Sequence, residues 1–444
     1  MIRGNSASQL ASFEAPLAAS LDKALKIEGL IRNDSIHVSQ STFIARLAER
    51  IHRWFRLTPS FGPGLVNEMI DQLRVQKDEL ILDPFAGAGT TLIEAKLRGF
   101  RSVGFEINPL LHFVNRVSLD WEVDVDQLRR SLSAIKLSFD KRAHIRFEDL
   151  ERAGLKLPPI HNPTRWWRPD VLAHLLVLKQ AINSAPDTDR DFFFLCLAGV
   201  LIPDLTNVTL GRLQLHFIDR SSDKIDVFGT FARHAQTMLN DVEAVHETEG
   251  FGRSDCLFQD SLRLNGLQIA PKVDAVITSP PYPNRYSYVW NTRPYLYFLD
   301  FFSTAKEASD LDRKTIGGTW GTATSELTKG AYAPVNSAVE DAVGPTVALI
   351  RSSDPLMANY VMHYFNRLAA QIMEMDRILS DKARIAYVVG NSWIKGVYIE
   401  TDVLLARIVQ NIGINFEMSD IHRFRRRHSG DKLYESIVYA WKRG

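Results

Sequence analysis

Two short segments of the chain carry groups that can do chemistry. The first is Asp83-Pro84-Phe85-Ala86-Gly87-Ala88-Gly89-Thr90. Glycines at 87 and 89 allow positive φ and a close backbone approach to a ligand. The segment lacks the Gly-Lys-Ser/Thr ending of a phosphate loop. It also lacks the third glycine of the dinucleotide fingerprint, which would fall at Leu92. Asp83 is an acid where a pyrophosphate site wants none, so the loop suits a ligand with a cationic amine and no phosphate. Glu106 stands 23 residues further on, the place for a carboxylate that accepts two ribose hydroxyls. S-adenosylmethionine, with its ribose, ammonium and sulfonium, has this character. The second segment is Thr278-Ser279-Pro280-Pro281-Tyr282. Two prolines without N–H groups make a stiff turn that leaves carbonyls free of ladder partners. Ser279 adds a hydroxyl and Tyr282 a flat face. Together they form a slot for a planar base with an exocyclic amine. Taken singly, each segment also reads as an ordinary turn.

Both segments need strand ends to hold them. Residues 79–85 are a short apolar run ending in a turn, as a buried parallel strand should be. Residues 91–98 have helical spacing and stop at Gly99, and residues 101–106 form a second strand, completing a β-α-β unit. Strand signals return at 254–258, 273–278 and 384–389, with a late alternating strand at 435–441 suited to antiparallel pairing. The expected fold is α/β: a Rossmann-like, doubly wound sheet carrying a helical insertion and an irregular one. The expected division is a tail and helix over 1–44, a first sheet portion over 45–120, a mostly helical insertion over 121–250 and a second sheet portion over 251–444. Within the last, residues 283–361 show little periodicity and suit a recognition region or lid.

Composition excludes several classes. The chain has 444 residues, 45% of them apolar, too hydrophobic for disorder and long enough for two or three domains. Its 53 Lys+Arg against 52 Asp+Glu leave a net charge of +1, so a nucleic-acid partner must be held by a local basic patch. Cys196 and Cys256 cannot supply a four-cysteine zinc site. Read as reduced thiols they suggest an intracellular setting, cytoplasm or nucleoid. Residues 192–203, the longest apolar run, are too short for a membrane span and read as a buried helix. No signal peptide is evident at the N-terminus, and no histidine has partners at metal spacing.

With both segments in view, the sequence resembles the amino-methyltransferases that modify exocyclic amines of DNA bases. The stretch 83–89 resembles their cofactor loop and 278–282 their catalytic loop. Gly104-Phe105-Glu106-Ile107-Asn108-Pro109 resembles their ribose-binding strand end. Residues 55–65, including Thr58, resemble the segment that closes over the methionine end of the cofactor. Asp260 matches the acid near the adenine amine. The resemblance implies S-adenosylmethionine as cofactor, held by Thr58, Asp83, Pro84, Phe85, Gly87, Gly89, Thr90, Glu106, Asn108 and Asp260. It implies catalysis at Ser279, Pro280, Pro281 and Tyr282 on a flipped base, with no metal. Serine at the head of the turn is usual for cytosine-N4 enzymes, and aspartate or asparagine for adenine-N6 enzymes. The expected activity is therefore cytosine-N4 methylation of DNA in restriction-modification or phage defence. An adenine-N6 enzyme, an RNA guanine-N2 enzyme and a non-catalytic nucleic-acid-binding subunit are the alternatives. Arg285, Tyr286 and Arg293 follow the turn closely enough to hold the flipped strand. The run at 422–428 offers Arg423, Arg425, Arg426 and Arg427 to phosphates. No nuclease constellation is evident, so cleavage would need a separate restriction nuclease or defence protein.

Overall fold

The computed structural model describes residues 27–33, 49–58, 60–211, 214–284, 286–318, 322–330, 332–426 and 433–443. Among them an eight-stranded sheet forms the centre. Its strands are β1 (Ile31–Asn33), β2 (Leu80–Asp83), β3 (Arg101–Glu106), β4 (Ser254–Phe258), β5 (Val273–Thr278), β6 (Leu379–Gly390), β7 (Phe416–Arg426) and β8 (Tyr434–Lys442). They lie in the order β1-β7-β8-β6-β5-β2-β3-β4. All neighbouring pairs run parallel except those of β8, which is reversed between β6 and β7. This is a Rossmann-like α/β sheet. The chain builds outward from β2 through β3 to β4, then returns to the other side of β2 with β5. The order therefore reverses between β2 and β5, and ligands of open α/β sheets sit at the strand carboxyl ends of such a switch point. Asp83 ends β2 and Thr278 ends β5.

The apolar strands alternate between two cores. Ile81, Ala275, Ile277, Ala386 and Val388 face α1 (Pro63–Gln72), through Leu65, Val66, Met69 and Ile70. Leu80, Leu82, Val276, Ile385 and Tyr387 face the opposite side, covered by a long helix at Pro355–Met375. Burial on both sides explains why these strands read as continuous apolar runs.

Two helices follow the first strands: α2 (Thr90–Leu97) and α3 (Pro109–Ser118). The segment 121–250 is mostly helical as expected, with α4 (Val125–Arg142), α5 (Pro169–Asn183), α6 (Asp187–Val200) and α7 (Val227–His246). It also holds a hairpin of Val208–Leu210 with Leu215–Phe217. Its apolar faces join Leu92 and Ile93 of α2 and Leu110 and Val114 of α3 in one cluster.

Three expectations are corrected. Residues 31–33, within the expected tail and helix over 1–44, are a strand, paired in parallel with 421–423. Residues 283–361, read as aperiodic, are largely helical: α8 (Tyr288–Phe298), α9 (Ala305–Lys314), a short helix Thr322–Leu327, α10 (Ser337–Arg351) and the start of α11 (Pro355–Met375). Internal prolines at 294 and 345 obscure α8 and α10. The starts are nonetheless marked by capping side chains of Ser287, Thr304, Asn336 and Asp354. The basic run lies partly in β7, as far as Arg426. The expected tail over 1–20 lies outside the described residues. Residues 192–200 are helix as read, and the chain kinks at Ile202; no helix among the described residues is long and apolar enough to cross a membrane. Both cysteines are free thiols.

Candidate active site

Asp83 is fully buried where β2 ends. One carboxylate oxygen accepts hydrogen bonds from the Phe85 amide at 3.0 Å and the Thr278 hydroxyl at 2.6 Å. The second bond ties the β2 end to the β5 end. The other oxygen, Oδ2, is buried with no hydrogen-bond partner among the described residues. Burial pushes the carboxyl up to about 6, with the Thr278 hydroxyl pulling the other way.

Glu106 clamps the glycine loop. Its Oε2 accepts from the Gly87 amide at 2.9 Å and its Oε1 from the Asn108 amide at 2.8 Å. Burial pushes it up to about 7, against those backbone bonds, with the Asp83 charge adding to the rise. Gly87 and Gly89 both have positive φ, +54° and +81°. At Gly89 a Cβ would lie 2.2 Å from Asn115 Oδ1. Asn115 is fully buried on α3, and its amide donates to the Gly87 carbonyl at 2.7 Å and the Leu111 carbonyl at 2.8 Å. It is a loop-holding residue that sequence reading missed; its one signal is an asparagine amid the apolar face of α3. Asn108 caps α3 through the Leu110 amide and donates to Thr292 Oγ1 on α8 at 3.2 Å. Replacing Gly89 by alanine should strain the αL turn and displace Asn115. The expected cost is about 1–3 kcal/mol, read as a lower melting temperature together with weaker cofactor binding.

Around this loop lies a cleft. Pro84, Phe85, Gly87, Thr90, Glu106, Asn108 and Asp260 line it, together with Leu57, Ser60 and Phe61. Asp83 and Gly89 sit behind this lining. Thr58 does not line the cleft either; its carbonyl accepts a hydrogen bond from the Tyr286 phenol. Leu57, Ser60 and Phe61, the neighbours of Thr58, face the cavity. Lys314, Thr315 and Ile316, which the sequence did not suggest, form part of the wall.

The Ser-Pro-Pro-Tyr turn continues the wall. Ser279 and Pro281 line the cleft, and Ser279 and Tyr282 also line a second, smaller chamber. Ser60, Phe61, Ser279 and Tyr288 are common to both cavities. The Ser279 hydroxyl donates to the Val388 carbonyl at 3.2 Å. Its one hydrogen is thus committed, and its oxygen keeps lone pairs for accepting. Glu435 of β8, another residue the sequence did not suggest, also lines the second chamber.

The expected DNA-contacting residues divide. Arg285 and Arg427 lie outside the described residues. Arg425 and Arg426 end β7 opposite Glu435 and Tyr434. Tyr286 is a correction: it is 5% exposed and bonded to Thr58, so it lines the second chamber and offers nothing to a passing strand. Arg423 is also a correction. Its guanidinium is held by Asp402 at 2.8 Å and Glu400 at 3.1 Å, which commits its charge within the fold. Arg293 is half-buried on α8 and stacks over Trp290 and Trp166. Burial lowers its pKa to about 10.

Residues 43–112 match the family model described as DNA methylase, N6/N4 type, a span that includes the cofactor loop and Glu106. Over that span the chain is similar to the DNA amino-methyltransferases of the N4/N6 family. It is 22% identical to the Type II methyltransferase M.MvaI of Kocuria varians, over 83% of this chain and 82% of that protein. It is 23% identical to the Type II methyltransferase M.BsoBI of Geobacillus stearothermophilus, over 91% and 88%. Among solved structures, TrmN from Thermus thermophilus aligns with a TM-score of 0.31 at 9% identity, covering 89% of this chain and 53% of that one.

The chemistry of the cleft fits S-adenosylmethionine, the cofactor that the resemblance implies. An orphaned carboxylate oxygen and a second buried carboxylate suit a cation and vicinal hydroxyls, and residues 84–91 carry no basic side chain for a phosphate. A pH dependence follows. The carboxyls of Asp83 and Glu106 are held near 6 and 7, against ordinary values of 3.8 and 4.5. The folded state therefore holds protons that the unfolded chain releases. The stability these protons contribute to the ligand-free protein is lost as pH rises through about 6 and 7. A cationic ligand favours the ionised pair, so its affinity should rise through the same window and its binding should release protons. Calorimetry in buffers of different ionisation enthalpy reads both; a flat affinity with no proton release would contradict the assignment.

Proposed function

We propose that this chain is a Type II methyltransferase that methylates the exocyclic N4 amine of cytosine in duplex DNA. The observation that carries this reading is Ser279. Its hydroxyl hydrogen is spent on the Val388 carbonyl, and its oxygen stands where the cofactor cleft meets the second chamber. That chamber would receive the base. A base inside a duplex cannot reach it and must flip out, at a cost of a few kcal/mol.

When bound, S-adenosylmethionine supplies an electrophilic methyl on a sulfonium. Glu106 would accept the ribose hydroxyls, Asp260 would face the adenine amine, and the backbone of 84–88 would pack against the methionine portion. Leu57, Ser60 and Phe61 would close that end from water. Tyr282 would stack on the flipped ring. The exocyclic nitrogen of cytosine is a poor nucleophile because its lone pair is delocalised into the ring. Ser279 Oγ and the Pro280 carbonyl would accept its two hydrogens, draw it toward tetrahedral geometry and localise that pair. No thiolate is needed: Cys196 is fully buried, and burial raises both thiols well above their ordinary value. The Type II relatives support a restriction-modification setting, in which a separate nuclease would cut unmodified sites.

The test is nucleoside analysis of plasmid DNA incubated with the protein and labelled S-adenosylmethionine. Label in N4-methylcytosine is the expected result. Label in N6-methyladenine would replace the base assignment while keeping the site. RNA labelled in preference to DNA would overturn both.

A further inference from the structure

Across α8 from the active site lies a third cavity that the chemistry above does not use. Val289 lines both it and the cofactor cleft, and the adjacent Tyr288 lines the cofactor cleft and the base chamber. The walls are mainly apolar, formed by Ile160, Val289, Tyr297 and Ala308, with two charged side chains, Arg293 and Asp312. Asp312 is 3% exposed and accepts a hydrogen bond from the Ser287 hydroxyl at 2.6 Å. Arg293 lies 3.1 Å from the ring centroid of Trp290 and 4.6 Å from that of Trp166. Its Nε is buried without a hydrogen-bond partner, and its guanidinium forms no ion pair among the described residues.

A half-buried cation without an acceptor is costly, so its partner is to be sought in a ligand. Stacking on indoles leaves a guanidinium its in-plane N–H fork, which matches a pair of acceptors side by side. A phosphate and the O6/N7 edge of guanine both offer such a pair. The cavity favours the base. Its walls are mainly apolar, and Asp312 would repel a phosphate. We propose that this cavity takes a guanine near the target base, with Arg293 bidentate to O6 and N7, as a determinant of the recognised sequence. The proposal rests on the DNA-methylating reading.

The experiment uses the full chain and a duplex containing a site first located by sequencing methylated plasmid. Each guanine in and beside the site is replaced in turn by 7-deazaguanine, which lacks the N7 acceptor. Wild type should show one position where the replacement lowers kcat/KM about 5- to 150-fold, as loss of a bidentate base contact does. Arg293→Gln should lose activity by a similar factor, with cofactor affinity unchanged, and should be indifferent to 7-deazaguanine at that position. Arg293→Lys, which keeps the charge and loses the fork, should behave like Arg293→Gln. The proposal falls if no position in wild type is sensitive, or if the sensitivity persists in Arg293→Gln. It falls too if that variant weakens binding to all duplexes equally with a shallower salt dependence, the mark of a phosphate contact. If neither variant folds, the wild-type series alone decides. Absence of any methyl transfer to plasmid DNA is failure of the underlying reading. Methylation without a sensitive guanine is failure of this one alone.

Discussion

Glu106→Ala should weaken cofactor binding by orders of magnitude while leaving a folded protein. The carboxylate does two jobs at once. It accepts the Gly87 and Asn108 amides, which sets the loop, and its position at the β3 end suits the ribose hydroxyls. Each hydrogen bond to a charged group is worth roughly 1.5–3 kcal/mol. Losing two toward the ligand should weaken binding by about 10²–10⁴-fold. The side chain comes from the end of a strand whose register with β2 and β4 is set by backbone pairing, so the fold should persist. Glu106→Gln keeps the shape and one acceptor oxygen, and should fall between wild type and alanine. Isothermal calorimetry beside a thermal melt separates the outcomes; near-wild-type affinity in the alanine variant would place the ribose elsewhere.

Ser279→Ala should act on the other half of the reaction. A positioned hydrogen-bonding group that acts mainly in the transition state typically contributes about 10²–10³ in kcat. The same loss is expected here, with cofactor affinity held within a small factor because Glu106 and the glycine loop are untouched. The Val388 carbonyl loses its donor in this variant, so a modest drop in stability accompanies it. A change in KM for DNA with kcat intact would instead mean that Ser279 only helps the base to bind. Single-turnover methylation at saturating DNA reads the distinction.

The two motifs were legible because their chemistry is local. Glycines at 87 and 89 and prolines at 280 and 281 impose backbone geometry within a few residues, and each follows an apolar run that must be a strand. Their meeting was not local, yet it followed from the β-α-β topology, and the Asp83–Thr278 bond spans 195 residues. What sequence reading missed depends on long-range pairing. Glu435 reaches the second chamber because β8 lies in register with β6, which sets it opposite Gly390. Arg423 looked like part of a cationic surface until the fold brought Asp402 and Glu400 against it. Tyr286 read as a strand-holding residue because nothing near it in the sequence announces the Thr58 carbonyl 228 positions away. The helices of 283–361 were hidden by Pro294 and Pro345, although their caps are written plainly in Ser287, Thr304, Asn336 and Asp354.

The whole account depends on two connected cavities at the β2–β5 switch point, one for the methyl donor and one for the base. The most direct measurement is a structure of the complete chain with S-adenosylhomocysteine and a duplex carrying its methylation site. The account predicts an extruded cytosine in the smaller chamber, stacked on Tyr282, its amine hydrogen-bonded to Ser279 Oγ and the Pro280 carbonyl and facing the cofactor sulfur. A base lodged outside that chamber, or a cofactor whose ribose does not meet Glu106, would contradict it.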